Sequence, residues 1–208
     1  MAKHYGLELE GFFFSNGKIS VPPKDWRMPV DGFAGLIELR SKVSADIYEC
    51  YGDIVRQQRK VEDTFDCEIH LLPRHKFSAL ELQQIRRNTN APTKERVAAI
   101  RNLYNKAPKM LPSGVAIASL QVNISNMRRE AHVSNISGTQ VRFEDSFGAI
   151  DVPFIVRELD NEFAHEISGA SRQAGCYAIK DEIRLEYRSL PAEAFNDSFP
   201  KRIKELDL

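Results

Sequence analysis

The residues whose chemistry is most suggestive begin with two glutamates near the start of the chain. In residues 6–14, Glu8 and Glu10 alternate with Leu7 and Leu9. A β-strand sends alternate side chains to opposite faces, so the sequence predicts one apolar face and two carboxylates side by side on the other. Such carboxylates repel each other unless a cation lies between them, and a divalent ion can supply that charge. A half-exposed edge strand with two solvated glutamates is the alternative.

Three later segments, residues 30–40, 115–125 and 183–188, alternate in the same way. Their polar positions are Asp31 near the start of the first, then Glu38, Gln121, Asn123, Arg184, Glu186 and Arg188. A solvated sheet face ordinarily carries mixed Thr, Lys and Ser. If the faces adjoin, the carboxylates can hold Mg²⁺ or Mn²⁺ and the arginines can bind phosphate through paired hydrogen bonds. That combination suits phosphoryl transfer, and without a P-loop or a G-x-G-x-x-G motif the nucleotide fold would be another one.

The elements that must position these residues can also be predicted. Helices are expected after the capping residue Ser44, after the Ser78–Glu81 capping box, over residues 93–105, and after Asp151 with Pro153 in the first turn. The first should end near Phe65, and the last carries an apolar stripe of Ile155, Val156, Leu159, Phe163 and Ile167. Short strands are expected at residues 67–72 and 140–143. The sequence therefore predicts an α+β fold, a curved and largely antiparallel sheet with helices packed on one face.

Composition places the chain among soluble globular proteins, with 208 residues, 42% apolar and 28% charged. Basic and acidic side chains number 29 each, so no overall charge favours nucleic acid or a membrane surface. The three cysteines show no paired spacing, which is typical of reduced thiols. With no leader and no membrane-spanning stretch in the sequence, we expect a cytoplasmic protein. One domain over residues 1–191 would be followed by a charged C-terminal tail over residues 192–208.

Four motifs resemble the glutamine synthetase superfamily, and more narrowly the phage-type glutamine synthetase-like carboxylate–amine ligases of type 2. They are residues 8–13 (ELEGFF), 31–38 (DGFAGLIE), 172–177 (RQAGCY) and 183–190 (IRLEYRSL), and the third leading into the fourth is the most specific. In order and relative position they cover about residues 5–191. The resemblance implies a glutamine synthetase catalytic-domain-like fold, a bacteriophage origin and hence the cytoplasm of a host cell. It also implies activation of a carboxylate by ATP to an acyl phosphate, followed by attack of an amine.

The resemblance further implies roles for single residues. One Mg²⁺ or Mn²⁺, beside the acceptor carboxylate, would be held by Glu10, Asp31 and Glu38. A second, which bridges the ATP phosphates, would be held by Glu8 and Glu186. Arg184 would contact an ATP phosphate, while Arg172 and Arg188 would meet the transferring phosphoryl group or the acyl phosphate.

One departure from the family pattern bears on activity. The third strand of the superfamily usually carries a metal-binding histidine and a second histidine near the substrate carboxylate, and Gln121 and Asn123 stand at those positions. Gln121 would then be a ligand of the second ion, together with Glu186, although a glutamine carbonyl is a weaker ligand than imidazole and is still acceptable to Mg²⁺. A polar strand face without a catalytic role is the alternative for both residues.

Several functions therefore stay open. The first is an ATP- and Mg²⁺-dependent ligase that joins a small-molecule or peptide carboxylate to an amine as an amide or isopeptide bond. The second is a catalytically weakened relative that serves as a binding or inhibitor protein against a host target. A metal-dependent hydrolase is disfavoured because arginines are so closely interleaved with the carboxylates. Neither nucleic acid nor a membrane is expected as a partner, and the sequence leaves homo-oligomerisation open.

Overall fold

A long first strand, β1 (His4–Ser15), pairs along both of its edges and so connects most of the sheet. The computed structural model describes residues 3–25, 27–29, 36–81, 115–125, 150–169, 173–180 and 184–208. The other strands of the main sheet are β2 (Lys18–Ile19), β3 (Leu36–Arg40), β4 (Glu68–His70), β7 (Ser119–Ser125), β8 (Tyr177–Lys180) and β9 (Arg184–Pro191). A separate two-stranded ribbon consists of β5 (Arg74–Lys76) and β6 (Val115–Ile117).

The strand pairs that the structure describes are all antiparallel. Along one edge of β1 lie β3 and then β2, and along the other lie β7 and then β4. Beyond β7 the sheet continues through β9 to β8. The result is a curled antiparallel sheet in a mixed α+β fold, as the alternating segments predict.

Within the part of the chain that the structure describes, residues 79–81 are helical, and four further helices and a short 3-10 turn accompany the sheet. They are α1 (Ile47–Phe65), α2 (Val152–Glu162), α3 (Ala164–Gly169), the 3-10 turn (Ala192–Ala194) and α4 (Phe199–Glu205). Among the residues described, none of these helices is long and apolar enough to cross a membrane. The predicted helix over residues 93–105 and the predicted strand over residues 140–143 lie outside the described residues.

The predicted alternation is visible in the burial of the strands. Leu7 and Leu9 of β1 are buried at 1% exposure each, and Leu120, Val122 and Ile124 of β7 are fully buried. The same core takes in the apolar stripes of α1, α2 and α4. Burial of this apolar face is the main force that holds the sheet and helices together, and it leaves the opposite face for polar side chains.

The helix boundaries follow the sequence signals with two exceptions. Asp151 caps α2 as predicted, because its carboxylate accepts from the Phe154 N–H at 3.0 Å, and the Ser78–Glu81 capping box forms in both directions. The predicted cap of α1 at Ser44 is wrong: Asp46 is the cap, and its carboxylate accepts from the Tyr48 N–H.

The reason for the first exception lies in the sheet. Ser44 forms an antiparallel bridge with Tyr5, so its backbone belongs to the strand edge and the helix begins later. The second exception is a break at Phe163, which divides the predicted last helix into α2 and α3. Phe163 and Ile167 stay buried across the break, so the hydrophobic pattern continues although the helix does not.

The C-terminal segment, residues 192–208, is charged as the sequence indicates, and it also completes the core. Phe199 and Ile203 of α4 are buried at 0% and 1% exposure. Arg202 donates to Glu162 and Glu166, and its guanidinium lies 4.1 Å from the ring centroid of Phe163. This segment is therefore fastened to α2 and α3 by both apolar and charged contacts.

Candidate functional site

The strands bring the predicted polar residues together on the face of the sheet opposite the apolar core. We call this set the carboxylate face; it consists of Glu8, Glu10, Glu38, Arg40, Gln121, Asn123, Lys180, Arg184, Glu186 and Arg188. In the sheet register Glu8 lies between Arg40 and Gln121, and Glu10 lies opposite Glu38. Asn123 in turn lies opposite Glu186. Four glutamates therefore share one surface, balanced by four cationic side chains within the set.

Glu8 and Glu38 form a carboxyl pair at the centre of this face. Arg40 donates to Glu38 Oε1 at 2.8 Å, and its Nε lies 3.9 Å from Glu8 Oε2. Burial, together with the neighbouring Glu8 carboxyl, raises the pKa of Glu38 to about 8, although Arg40 opposes the rise. Two carboxyls placed this close favour a proton, or another positive charge, between them.

Glu10 is engaged differently, because the protein itself supplies its hydrogen-bond donors. Its Oε2 accepts from both the backbone N–H and the hydroxyl of Ser119, each at 2.8 Å. Its Oε1 accepts from Gln121 Nε2 at 3.3 Å. With 6% exposure, Glu10 is a buried carboxylate that ties β1 to the start of β7.

The two residues at the usual histidine positions both contact glutamates. Gln121 donates to Glu10 from Nε2, as above. Asn123 donates from Nδ2 to Glu8 Oε1 at 3.2 Å, and its Oδ1 accepts from Arg184 Nη1 at 3.0 Å. Asn123 therefore links a carboxylate of β1 to an arginine of β9.

Glu186 lies at the other end of the face, among cations. Its carboxylate accepts from Arg188 Nη1 at 3.1 Å and lies 3.5 Å from Lys180 Nζ. Burial raises its pKa, while Lys180 partly opposes that rise. The register of β7 and β9 shifts between Leu120 and Val122, so that β9 has one extra residue opposite Gln121. A bulge of this kind re-aims side chains, here next to Arg188.

Some site residues fall outside this description and some were not predicted. Asp31 and Arg172, implied as a metal ligand and a phosphate contact, lie outside the described residues. Ser119 and Lys180 were not predicted to belong to the site. Ser119 precedes Gln121 and Asn123 at the same period of two, which is the signal that could have identified it. Lys180 joins only through the pairing of β8 with β9, which the sequence does not specify.

The fit of a divalent cation can be judged from these contacts. Within the part of the chain that the structure describes, no three His, Cys, Asp or Glu side chains are arranged to hold a metal ion. The Glu8–Glu38 pair nevertheless suits a cation, because two partly buried neighbouring carboxyls favour either a proton or a positive charge between them. Glu10 suits it less, since both its oxygens already accept hydrogen bonds.

Comparisons with known proteins supply no further assignment. No protein-family model, curated protein or solved structure matches this chain.

Proposed function

We propose that this protein is an ATP- and Mg²⁺-dependent carboxylate–amine ligase with a glutamine synthetase-like catalytic sheet. It would form an amide or isopeptide bond through an acyl phosphate. The observation that carries the proposal is the convergence of Glu8, Glu10, Glu38 and Glu186 with the arginines of β9 on one face of the curled sheet. Carboxylates that hold cations beside arginines that hold phosphate meet the main requirement of phosphoryl transfer.

The residues of the face divide into two groups with different tasks. Glu8 and Glu38 would hold a Mg²⁺ or Mn²⁺ ion, and Glu186 would contribute to a second ion. When bound, these ions would neutralise charge on the ATP phosphates. Arg184, held by Asn123, and Arg188, held by Glu186, present guanidinium groups from the same strand to a phosphoryl oxygen.

A trapping experiment tests the reaction directly. The protein is incubated with ATP, Mg²⁺, a panel of small carboxylates or carboxylate-bearing peptides, and hydroxylamine as the amine. A ligase of this type converts the activated carboxylate into a hydroxamate and releases ADP and phosphate in equal amounts. Glu8→Gln should abolish both products, whereas Glu205→Gln, at an exposed helix position, should leave them unchanged. ATP hydrolysis that is insensitive to Glu8→Gln would count against the proposal.

A second candidate is favoured by the contacts of Glu10. Ser119 and Gln121 occupy both oxygens of this carboxylate, and Gln121 replaces the histidine expected at a metal. A site whose ligands are engaged with the protein would turn over poorly. The chain would then serve as a binding or inhibitor protein, with a host protein as its target.

Gln121→His distinguishes the two candidates, because imidazole is a better donor than a carboxamide for Mn²⁺. A weakened ligase should gain hydroxamate formation and bind Mn²⁺ more tightly, by about tenfold for one added imidazole ligand. Glu186→Gln, which removes a full charge, should weaken Mn²⁺ binding. Metal binding without product in the parent protein and in Gln121→His would support the binding protein.

A further inference from the structure

Asn123 is the residue of the carboxylate face that touches both of its functional groups. Its side chain is buried, with 4% exposure, on the central strand of the three that carry the site. One end donates to Glu8 and the other accepts from Arg184, at 3.2 and 3.0 Å. Glu8 and Arg184 lie on strands that do not pair with each other, so this amide is a direct bridge between them.

The chemistry of the two neighbours fixes the orientation of the amide. A guanidinium can only donate hydrogen bonds, and an ionised carboxylate can only accept them. The carbonyl oxygen of Asn123 must therefore face Arg184, which leaves its NH₂ group for Glu8. Both bonds involve a charged partner, so each is stronger than a bond between neutral groups. If either partner moves, the amide has to move with it to keep that hydrogen bond, and this changes the geometry of its hydrogen bond to the other partner.

We propose that Asn123 is a positioning residue that couples Glu8 to Arg184, so that the cation ligand and the anion ligand of the site adjust together. The inference rests on the proposed function for the roles of Glu8 and Arg184, but the bridge itself does not. In this proposal, a cation drawn to Glu8 and a phosphate drawn to Arg184 bind cooperatively through one buried amide. The substrate class that fits is a phosphate ester or anhydride accompanied by a divalent cation.

A double-mutant cycle isolates the bridge from simple electrostatics. Inorganic phosphate without metal is titrated into the parent protein, Glu8→Gln, Asn123→Leu and the double variant, at low salt. Binding is followed through the side-chain ¹⁵N signals of Arg184. Removing the Glu8 charge has the same direct electrostatic effect on phosphate binding whether residue 123 is Asn or Leu. Any difference between the effects of Glu8→Gln in these two backgrounds therefore measures the coupling through the amide. Glu205→Gln controls for the loss of a distant charge, and circular dichroism controls for folding.

We expect Asn123→Leu to weaken phosphate binding about tenfold, because Arg184 loses a charge-assisted hydrogen bond. Glu8→Gln should shift the Arg184 signals clearly more while Asn123 is present than in the Asn123→Leu background. The coupling between positions 8 and 123 should be at least about threefold in affinity. Equal effects of Glu8→Gln in both backgrounds would overturn the proposal.

The outcome separates this inference from the proposed function. If the Arg184 signals respond to Glu8→Gln only through Asn123 and the parent protein forms no hydroxamate, the bridge stands and the ligase does not. If hydroxamate forms and the cycle is additive, the ligase stands and the bridge does not. Should phosphate fail to bind, the Arg184 signals of the four ligand-free proteins still decide the coupling.

Discussion

At the scale of single residues, the structure separates glutamates that the sequence treats alike. Glu10 and Glu38 lie opposite each other on adjacent strands, but Glu10 accepts from backbone and side-chain donors, while Glu38 is partly buried beside another carboxyl. A carboxylate with several donors is stable in its charged form, and one beside a like charge favours the protonated form. Glu10 and Glu38 should therefore differ in how they affect the stability of the protein, both when the pH changes and when the glutamate is replaced by glutamine.

The raised pKa of Glu38 makes stability depend on pH. The folded protein keeps the proton to a pH of about 8, while the unfolded chain releases it near the ordinary value of 4.5. This contribution to the free energy of unfolding is fully present below 4.5 and is lost as pH rises to about 8. Glu38→Gln should flatten that decline, as measured by urea denaturation across the range in EDTA-containing buffer. The prediction would be contradicted if the stability of the parent protein rose steadily between these two pH values and the variant showed the same slope.

Glu10→Gln should destabilise the fold without any ligand. The new amide places a donor where Ser119 and Gln121 already donate, leaving a buried donor unsatisfied at a cost of about 1–3 kcal/mol. Urea denaturation at neutral pH measures the loss. Glu205→Gln is the matched control, since its side chain is 64% exposed and the change should stay within about 0.5 kcal/mol. A fully stable Glu10→Gln protein would mean that Glu10 is available as a ligand.

At the scale of elements, one arginine makes the charged contacts that hold the C-terminal helix, beside the buried Phe199 and Ile203. Arg202 of α4 reaches Glu162 at the end of α2 and Glu166 in α3, and it also covers the ring of Phe163. These contacts hold α4 where the chain breaks between α2 and α3. The neighbouring Lys201 makes an exposed ion pair with Glu205, at 3.7 Å.

Arg202→Met should therefore cost about 1–3 kcal/mol of unfolding free energy, because it leaves two partly buried carboxylates without their cation. Lys201→Met should cost less than about 1 kcal/mol, as is usual for an exposed ion pair. Thermal and urea denaturation of the two variants make the comparison, and similar losses in both would contradict the assigned role. Burial alone would raise the pKa of Glu166, but Arg202 lowers it. Because acid protonates Glu166 and removes its attraction to Arg202, the loss of unfolding free energy in Arg202→Met should approach that in Lys201→Met at low pH.

At the scale of the whole molecule, the sequence predicts local patterns better than long-range contacts. Alternation in β1, β7 and β9 is a local property, so the strands and their polar faces could be predicted. The partner of Glu10 is 109 residues away, and only the fold brings Ser119 to it. The cap at Asp46 was missed because the bridge between Ser44 and Tyr5 overrides a good local capping signal. The break at Phe163 was missed because burial continues through it.

The shared polar face therefore followed from the sequence, whereas the state of each carboxylate did not. Protonation and hydrogen bonding depend on which neighbour the sheet register places opposite each glutamate. For the same reason, the resemblance indicated two metal sites but could not show that Gln121 turns to Glu10. The structure places Glu8, Glu10, Glu38 and Glu186 on one face of the sheet, and the chemistry of that face stays a proposal.

The most direct test of that proposal is the calorimetric affinity of the parent protein for ATP with and without Mg²⁺, at physiological ionic strength. Arginines alone bind a triphosphate weakly and with strong salt dependence, whereas cations held by Glu8, Glu38 and Glu186 would bridge it to the sheet. We expect binding to be at least about tenfold tighter with Mg²⁺, and Glu8→Gln to remove that difference. Equal affinity for ATP in the two conditions would contradict the account.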